Sequence, residues 1–372
     1  MFNVANLTLG SGTLSLPFVF AATGIGLGCV LLTVCAIAAG FCILLLTHAV
    51  EATSRPSAGG AAGSARMAAS YQDLAREFFG RRTAMALDVL MTVDTWSSIL
   101  AYLIVIGDVI PPVLQAWFDA PDAWLLHRAT VMAAVAGGII VPLSLLRSLD
   151  ALRFTSGAAL LCMLYLAGVI IHAAIASGFD DTAAGNVNNK ADVRAVAYGW
   201  RLDGAFLFVY PIVTFAYTSH IQMPAAYGEL RARSVSRLMG VVWSAIGICT
   251  VFYATVGIFA FLTFYNGVDG NVFNNFTDED DAFIGAAKLA LGLTLAFSTP
   301  LFVYPTRELI ISLVYRRPMP FAWFRHSLVT AGLISFTLVM AILIPSVEDV
   351  FALSGATTGT CSVYILPTLF FL

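Results

Sequence analysis

The first Asp, Glu, Lys or Arg in this sequence is Glu51, so fifty residues pass before any of the four charged types appears. As one helix rising about 1.5 Å per residue, that stretch would reach about 75 Å. A bilayer's hydrocarbon core is roughly 30 Å thick. The chain must therefore turn back inside its own apolar segment. The Gly24, Gly26 and Gly28 cluster after Pro17 is the place for that turn, which predicts spans over 2–22 and 26–49. Composition agrees: the chain is 59% hydrophobic and 11% charged, against about 25% charged in ordinary soluble domains. Too few charges remain to cover even one water-facing core. The soluble-enzyme, nucleic-acid-binding, disordered and disulfide-scaffold classes are excluded on this ground.

The same length test predicts eight further spans of about 20 residues. They fall at 84–110, 129–146, 154–177, 204–227, 238–265, 282–306, 327–344 and 350–372. Pro111-Pro112 and Pro345 are read as stops, and Lys288 lies inside the eighth span. The expectation is an all-α integral membrane protein of ten transmembrane helices, one transmembrane domain over 1–372. Its six cysteines all sit in apolar stretches, so no structural disulfide is expected, and no CxxC spacing suggests a metal site. Lys and Arg concentrate on cytosolic flanks. With a cytosolic N-terminus, 14 of the 19 basic residues lie inside, and the Asp278–Asp281 acidic run lies outside. The opposite topology would put those 14 outside.

Ten spans divide into two sets of five, over 1–177 and 203–372. An odd number per half forces the halves into opposite orientations. The first span holds Gly10-Ser11-Gly12-Thr13 before Pro17; the sixth holds Tyr217-Thr218-Ser219-His220 before Pro224. Each is an apolar segment interrupted by small or polar residues with a proline soon after. Five-plus-five inverted repeats headed by discontinuous helices 1 and 6 point to a secondary transporter. Non-helical backbone at membrane depth leaves polar groups that a cavity or ligand must satisfy. Freed amides suit a carboxylate and freed carbonyls a cation. Gly-x-Gly in a membrane helix also serves as a close-packing surface, and that reading stands beside the first.

Longer motifs carry a family resemblance. Phe2-Asn3-Val4-Ala5-Asn6 running into Gly10-Ser11-Gly12-Thr13-Leu14-Ser15-Leu16-Pro17 resembles the first-helix signature of the amino acid/auxin permease family. Ser70-Tyr71-Gln72-Asp73-Leu74 with Gly80 is similar to the approach to that family's third helix. Ala101-Tyr102-Leu103-Ile104-Val105-Ile106-Gly107-Asp108 resembles the helix's end. Pro142-Leu143-Ser144-Leu145-Leu146-Arg147 and Tyr304-Pro305-Thr306-Arg307 resemble the loop after helix four and the end of helix eight. The family includes sodium-coupled and proton-coupled amino acid transporters and protozoan amino acid permeases. The resemblance implies amino acids as substrates and alternating access in an inverted-repeat fold. Members usually have eleven helices and a cytosolic N-terminal tail, so an eleventh helix and that tail are expected to be missing here. Asn6 resembles the first-helix asparagine linked to cation binding in sodium-coupled members, which place a hydroxyl ligand where Ser298 and Thr299 fall.

The candidate substrate-binding residues are Thr8, Gly10, Ser11, Gly12 and Thr13 from the first span and Phe215, Ala216, Tyr217 and Thr218 from the sixth. Small side chains let backbone approach a ligand, and hydroxyls add polar contacts. Charge within a span is costly and by default functional. Asp94 is read as a proton carrier or as the partner of a cationic substrate. Lys288 is read as snorkelling to headgroups, Asp108 as a gate, a cap or a coupling residue, and His220 as a titrating or a neutral hydrogen-bonded group. Arg307-Glu308 is an inner gate or a solvated anchor. The expectation is secondary active transport of amino acids, coupled to H+ or Na+ with Asn6, Ser298 and Thr299 as ion ligands. No cofactor, enzymatic activity or nucleic-acid partner is expected; the partners are the amino acid and the lipid bilayer. The plasma membrane is the expected site, with a vacuolar or lysosomal-type membrane as the alternative. A sensor that binds without transport, or a passive channel, is the competing reading.

Overall fold

The computed structural model describes residues 11–53, 71–119, 123–146, 153–176, 204–230, 233–276, 281–315 and 322–372. Regular structure among them is helical. A 3-10 turn, Ser11–Ser15, leads into α1 (Leu16–Thr23). Gly24 then takes φ 79°, a left-handed conformation that favours glycine, and α2 (Ile25–Thr53) starts at the next residue. The predicted turn is thus a single glycine, and Gly26 and Gly28 belong to α2.

Helix α3 (Tyr71–Trp117) has non-helical backbone at Gly80, and its apolar part runs over Arg82–Trp117. Helix α4 (Arg128–Ser144) contains a π-helical stretch at Ala136–Ile140. Next come α5 (Arg153–Ala176) and α6 (Gly204–Ala216). Residues 217–219 after α6 are non-helical; a 3-10 turn, His220–Gln222, and a short helix, Met223–Glu229, follow. Helices α7 (Val235–Phe264), α8 (Ala282–Tyr315) and α9 (Trp323–Leu343) are long. Helix α10 (Val347–Phe371) carries π-helical stretches at Gly355–Gly359 and Cys361–Ile365. Among the described residues eight helices are long and apolar enough to cross a membrane, and two apolar helices, Gly12–Thr23 and Arg128–Ser144, are shorter. The protein is a multi-pass helical membrane protein.

Two expected boundaries are corrected. Pro111 and Pro112 do not stop α3, which continues to Trp117. Each proline removes one hydrogen bond and restricts the residue before it. That cost is offset by packing: Val109, Ile110 and Val113 are buried, and Val109 and Ile110 sit so close to α8 that Gly292 there has no room for a side chain. Helix α8 likewise passes through Pro300 and Pro305 and ends at Tyr315 rather than 306.

The packing places α1 against α6 and α7, α3 against α8 and α9, and α10 against α2 and α6. The surface is apolar where lipid is the solvent. On α2, Val30, Val34, Ile37 and Phe41 are exposed, and their three- and four-residue spacing makes one stripe along the helix. Polar groups go inward instead: Asp94, Thr95, Ser97, Thr214, Ser219, Thr306 and Thr358 are all buried.

Candidate functional site

A cavity opens where α1, α3, α6 and α8 meet. Its lining includes Gly12, Asp94, Ser98, Tyr102, Phe215, Ala216, Thr218, Ser219, Gln222 and Phe302. Its volume is about 60 Å³; a water-sized group needs roughly 10–15 Å³ on that measure, so several such groups fit.

Local sequence explains each wall. On α3, Asp94, Ser98 and Tyr102 recur every fourth residue and so share one face. Thr95 lies beside them and accepts a hydrogen bond from the Thr306 hydroxyl of α8 at 2.7 Å. On the opposite wall, α6 stops at Ala216 and the chain turns through 217–219. Gly12 packs onto that end: a Cβ there would lie 3.1 Å from the Ala216 Cα. Here glycine permits a close backbone approach, as the packing reading expects, and Gly12 also lines the cavity.

Asp94 is 3% exposed, and its Oδ1 accepts a hydrogen bond from the Thr358 hydroxyl at 2.7 Å. Thr358 sits in the first π-helical stretch of α10, which also holds Gly355 and Gly359. A Cβ at Gly355 would collide with the Pro211 carbonyl of α6, and one at Gly359 would lie 3.6 Å from the Thr218 hydroxyl. The π-stretch therefore lets α10 lie tight on α6 while turning Thr358 toward Asp94. Among the described residues no basic side chain pairs with Asp94.

Aromatic rings form much of the remaining wall. Tyr102 meets Phe302 edge to face at 5.4 Å, and Phe215 stacks on Phe351 of α10 at 4.8 Å. The Gln222 Oε1 is buried without a hydrogen-bond partner among the described residues.

Of the sequence candidates, Gly12, Asp94, Phe215, Ala216 and Thr218 line this cavity. Tyr217 does not. It is buried, with its hydroxyl paired to that of Thr250 on α7 at 2.8 Å and its ring against Tyr253. Thr13 is buried beside Tyr253, whose own hydroxyl donates to the Ala216 carbonyl at 2.9 Å. Asn6, Thr8 and Gly10 lie outside the described residues, as does the side chain of Ser11. Ser298 and Thr299 are buried on α8 about one turn from Phe302, and Thr299 donates to the Leu295 carbonyl at 2.7 Å. Sequence reasoning passed over Ser98, Tyr102, Gln222 and Phe302. The Asp94–Ser98–Tyr102 spacing was a readable signal; nothing local marked Gln222 or Phe302.

Other intramembrane charges have structural partners. Asp108 pairs with Arg128 of α4 at 3.2 Å and accepts from the Asn271 amide at 3.4 Å. Arg128 also donates to the Ala341 carbonyl of α9 at 3.3 Å. Asn271 belongs to the 265–276 segment between α7 and α8. That segment is tied down elsewhere too, by Ser15 donating to the Gly270 carbonyl at 2.5 Å and Lys288 to the Phe276 carbonyl at 2.6 Å. Lys288 is 2% exposed, so it does not snorkel to the headgroups; the segment covers it. His220 meets the Ala39 carbonyl at 3.1 Å. Arg307 is fully buried within α8, donating to the Ser144 carbonyl at 2.8 Å and the Thr330 hydroxyl at 3.1 Å, with Glu308 3.8 Å away. A solvated anchor does not describe it, because the side chain is fully buried.

The structure is thus a multi-pass helical membrane protein whose helices leave a cavity lined by both polar side chains and aromatic rings. The chain matches, over residues 1–372, the family described as transmembrane amino acid transporter protein, and it belongs to that family.

Proposed function

We propose that the protein is a secondary active transporter that carries amino acids across its membrane by alternating access, driven by a proton or sodium gradient. The observation that carries this reading is the cavity lined by Gly12, Phe215, Ala216, Thr218 and Ser219, at the place where α6 gives way to non-helical backbone. Half-helix ends there supply oriented backbone dipoles for the substrate's charged α-groups. Residues 1–177 and 203–372 act as inverted repeats, with discontinuous helices 1 and 6 supplying the substrate site. Asn6, Thr8, Gly10 and Ser11 complete that site from the first helix. Asn6, Ser298 and Thr299 are the ligands for a coupling cation, whose hardness suits oxygen donors. The N-terminus faces the cytosol, the 265–276 segment closes the outer side, and the plasma membrane is the site of action.

Uptake of radiolabelled amino acids into proteoliposomes tests the proposal, with inward proton and sodium gradients imposed separately. Accumulation driven by one gradient and abolished by its collapse is the expected result. Binding without flux would instead identify a sensor, and currents far above carrier turnover would identify a channel. Either outcome removes the transport reading.

A further inference from the structure

We infer that the cavity selects amino acids with a cationic side chain, with Asp94 as the residue that reads the charge. The inference rests on the cavity being the amino acid site.

Three independent features of the wall favour a cation. Asp94 is the one charged side chain among the described lining residues, and among the described residues the only donor to its carboxylate is the neutral Thr358 hydroxyl of α10. A buried carboxylate without a cationic partner is costly, and within a membrane span such groups pair with a counter-charge or serve a substrate path. Three aromatic residues, Tyr102, Phe215 and Phe302, line the same space. Ring faces attract cations, more strongly when water is excluded. Finally, Gln222 brings a buried acceptor oxygen that has no hydrogen-bond partner among the described residues, which matches the several N–H groups of an ammonium or guanidinium.

Charge balance decides between substrate classes. A neutral amino acid is a zwitterion and adds no net charge, so Asp94 would still leave the occupied cavity at net −1. Lysine or arginine adds one positive charge and neutralises it. The helix ends at 217–219 then serve the α-groups, and the carboxylate on α3 serves the side chain across the cavity. The rival balance is a coupling ion at Asp94 beside a neutral substrate, and it predicts a different mutational pattern.

The experiment compares arginine with citrulline, its neutral isostere, and lysine with norleucine, as competitors of labelled arginine uptake by the full-length protein in proteoliposomes. In the native protein, arginine and lysine compete at least tenfold better than their neutral counterparts. Asp94→Asn keeps an oxygen for the Thr358 hydroxyl and removes only the charge. It weakens arginine and lysine by roughly 30-fold or more, the usual scale for losing one member of a buried charge pair, and changes citrulline by less than about threefold on the same scale. Native protein that prefers citrulline or norleucine overturns the inference while leaving amino acid transport intact. Equal losses for arginine and citrulline in Asp94→Asn also overturn it, and assign Asp94 to the α-ammonium or the coupling ion. If no amino acid is bound or moved, the transport reading fails and the inference falls with it. The native-protein comparison, repeated as ligand-induced thermal stabilisation, decides the matter even if the variant does not fold.

Discussion

Arg128→Met should open the cavity from the side of the 265–276 segment. Arg128 holds Asp108 at 3.2 Å, and Asp108 in turn accepts from Asn271 of that segment. The same guanidinium donates to the Ala341 carbonyl of α9 at 3.3 Å. A hydrogen bond to a charged group contributes about 1.5–3 kcal/mol. The Arg128 side chain is 31% exposed against 12% for Asp108, so solvent screening reduces the contribution of the pair. Loss of the pair and the carbonyl bond together is worth about 2 kcal/mol, or roughly 30-fold in the equilibrium between closed and open arrangements. A cysteine replacing Ser98, on the cavity face of α3, reports that equilibrium through its rate of labelling by a membrane-impermeant maleimide, read against the same background without it. The rate should rise roughly 30-fold in Arg128→Met. Asp108→Asn, which breaks the pair but leaves the Ala341 bond, should raise it by a smaller factor, and the double variant should be no faster than Arg128→Met, because both break the same pair. An unchanged rate in Arg128→Met, or single effects that simply add, would refute a closing role for the Arg128–Asp108 pair.

Other substitutions test the packing. Arg307→Met removes the Nη1 donor to the Ser144 carbonyl and Thr330 and should lower the melting temperature in detergent; Arg307→Lys should fail to restore it, since the lysine side chain is one bond shorter and its ammonium falls short of the Nη1 position. Gly355→Ala forces a Cβ into the Pro211 carbonyl, so α6 and α10 must separate, at a cost of about 1–3 kcal/mol or more, read as lost thermal stability. Tyr217→Phe removes the bond to Thr250 and should cost about 1 kcal/mol of stability while shifting substrate affinity less than about twofold, as competition assays would register.

The approximate placement of the apolar helices was legible in the sequence because run length against bilayer thickness is a one-dimensional constraint; of the ten expected spans, eight are long enough to cross a membrane among the described residues and two are shorter helices. An uncharged stretch of fifty residues before Glu51 must turn back whatever its neighbours do, and Gly24 supplies the conformation for the turn. The small and polar residues around Gly12 and Thr218 were legible too, since each interrupts an apolar run. So was the buried charge at Asp94, because any carboxylate in such a run stands out.

What each residue faces was decided only by the tertiary structure. Gly12 and Ala216 are neighbours because α1 crosses α6, a contact between positions about two hundred residues apart. Tyr217 and Thr218 are adjacent in sequence, yet one turns to Thr250 and the other to the cavity, because α6 ends between them and Ala216. Lys288 and Arg307 read as boundary charges, but the 265–276 segment folds over the first and the second is fully buried within α8. Pro111-Pro112 read as a stop, and packing against α8 overrode it. In lipid the backbone must satisfy itself, so helices are dictated locally. A cavity has no local signature, because it is the space several helices leave when their side chains meet.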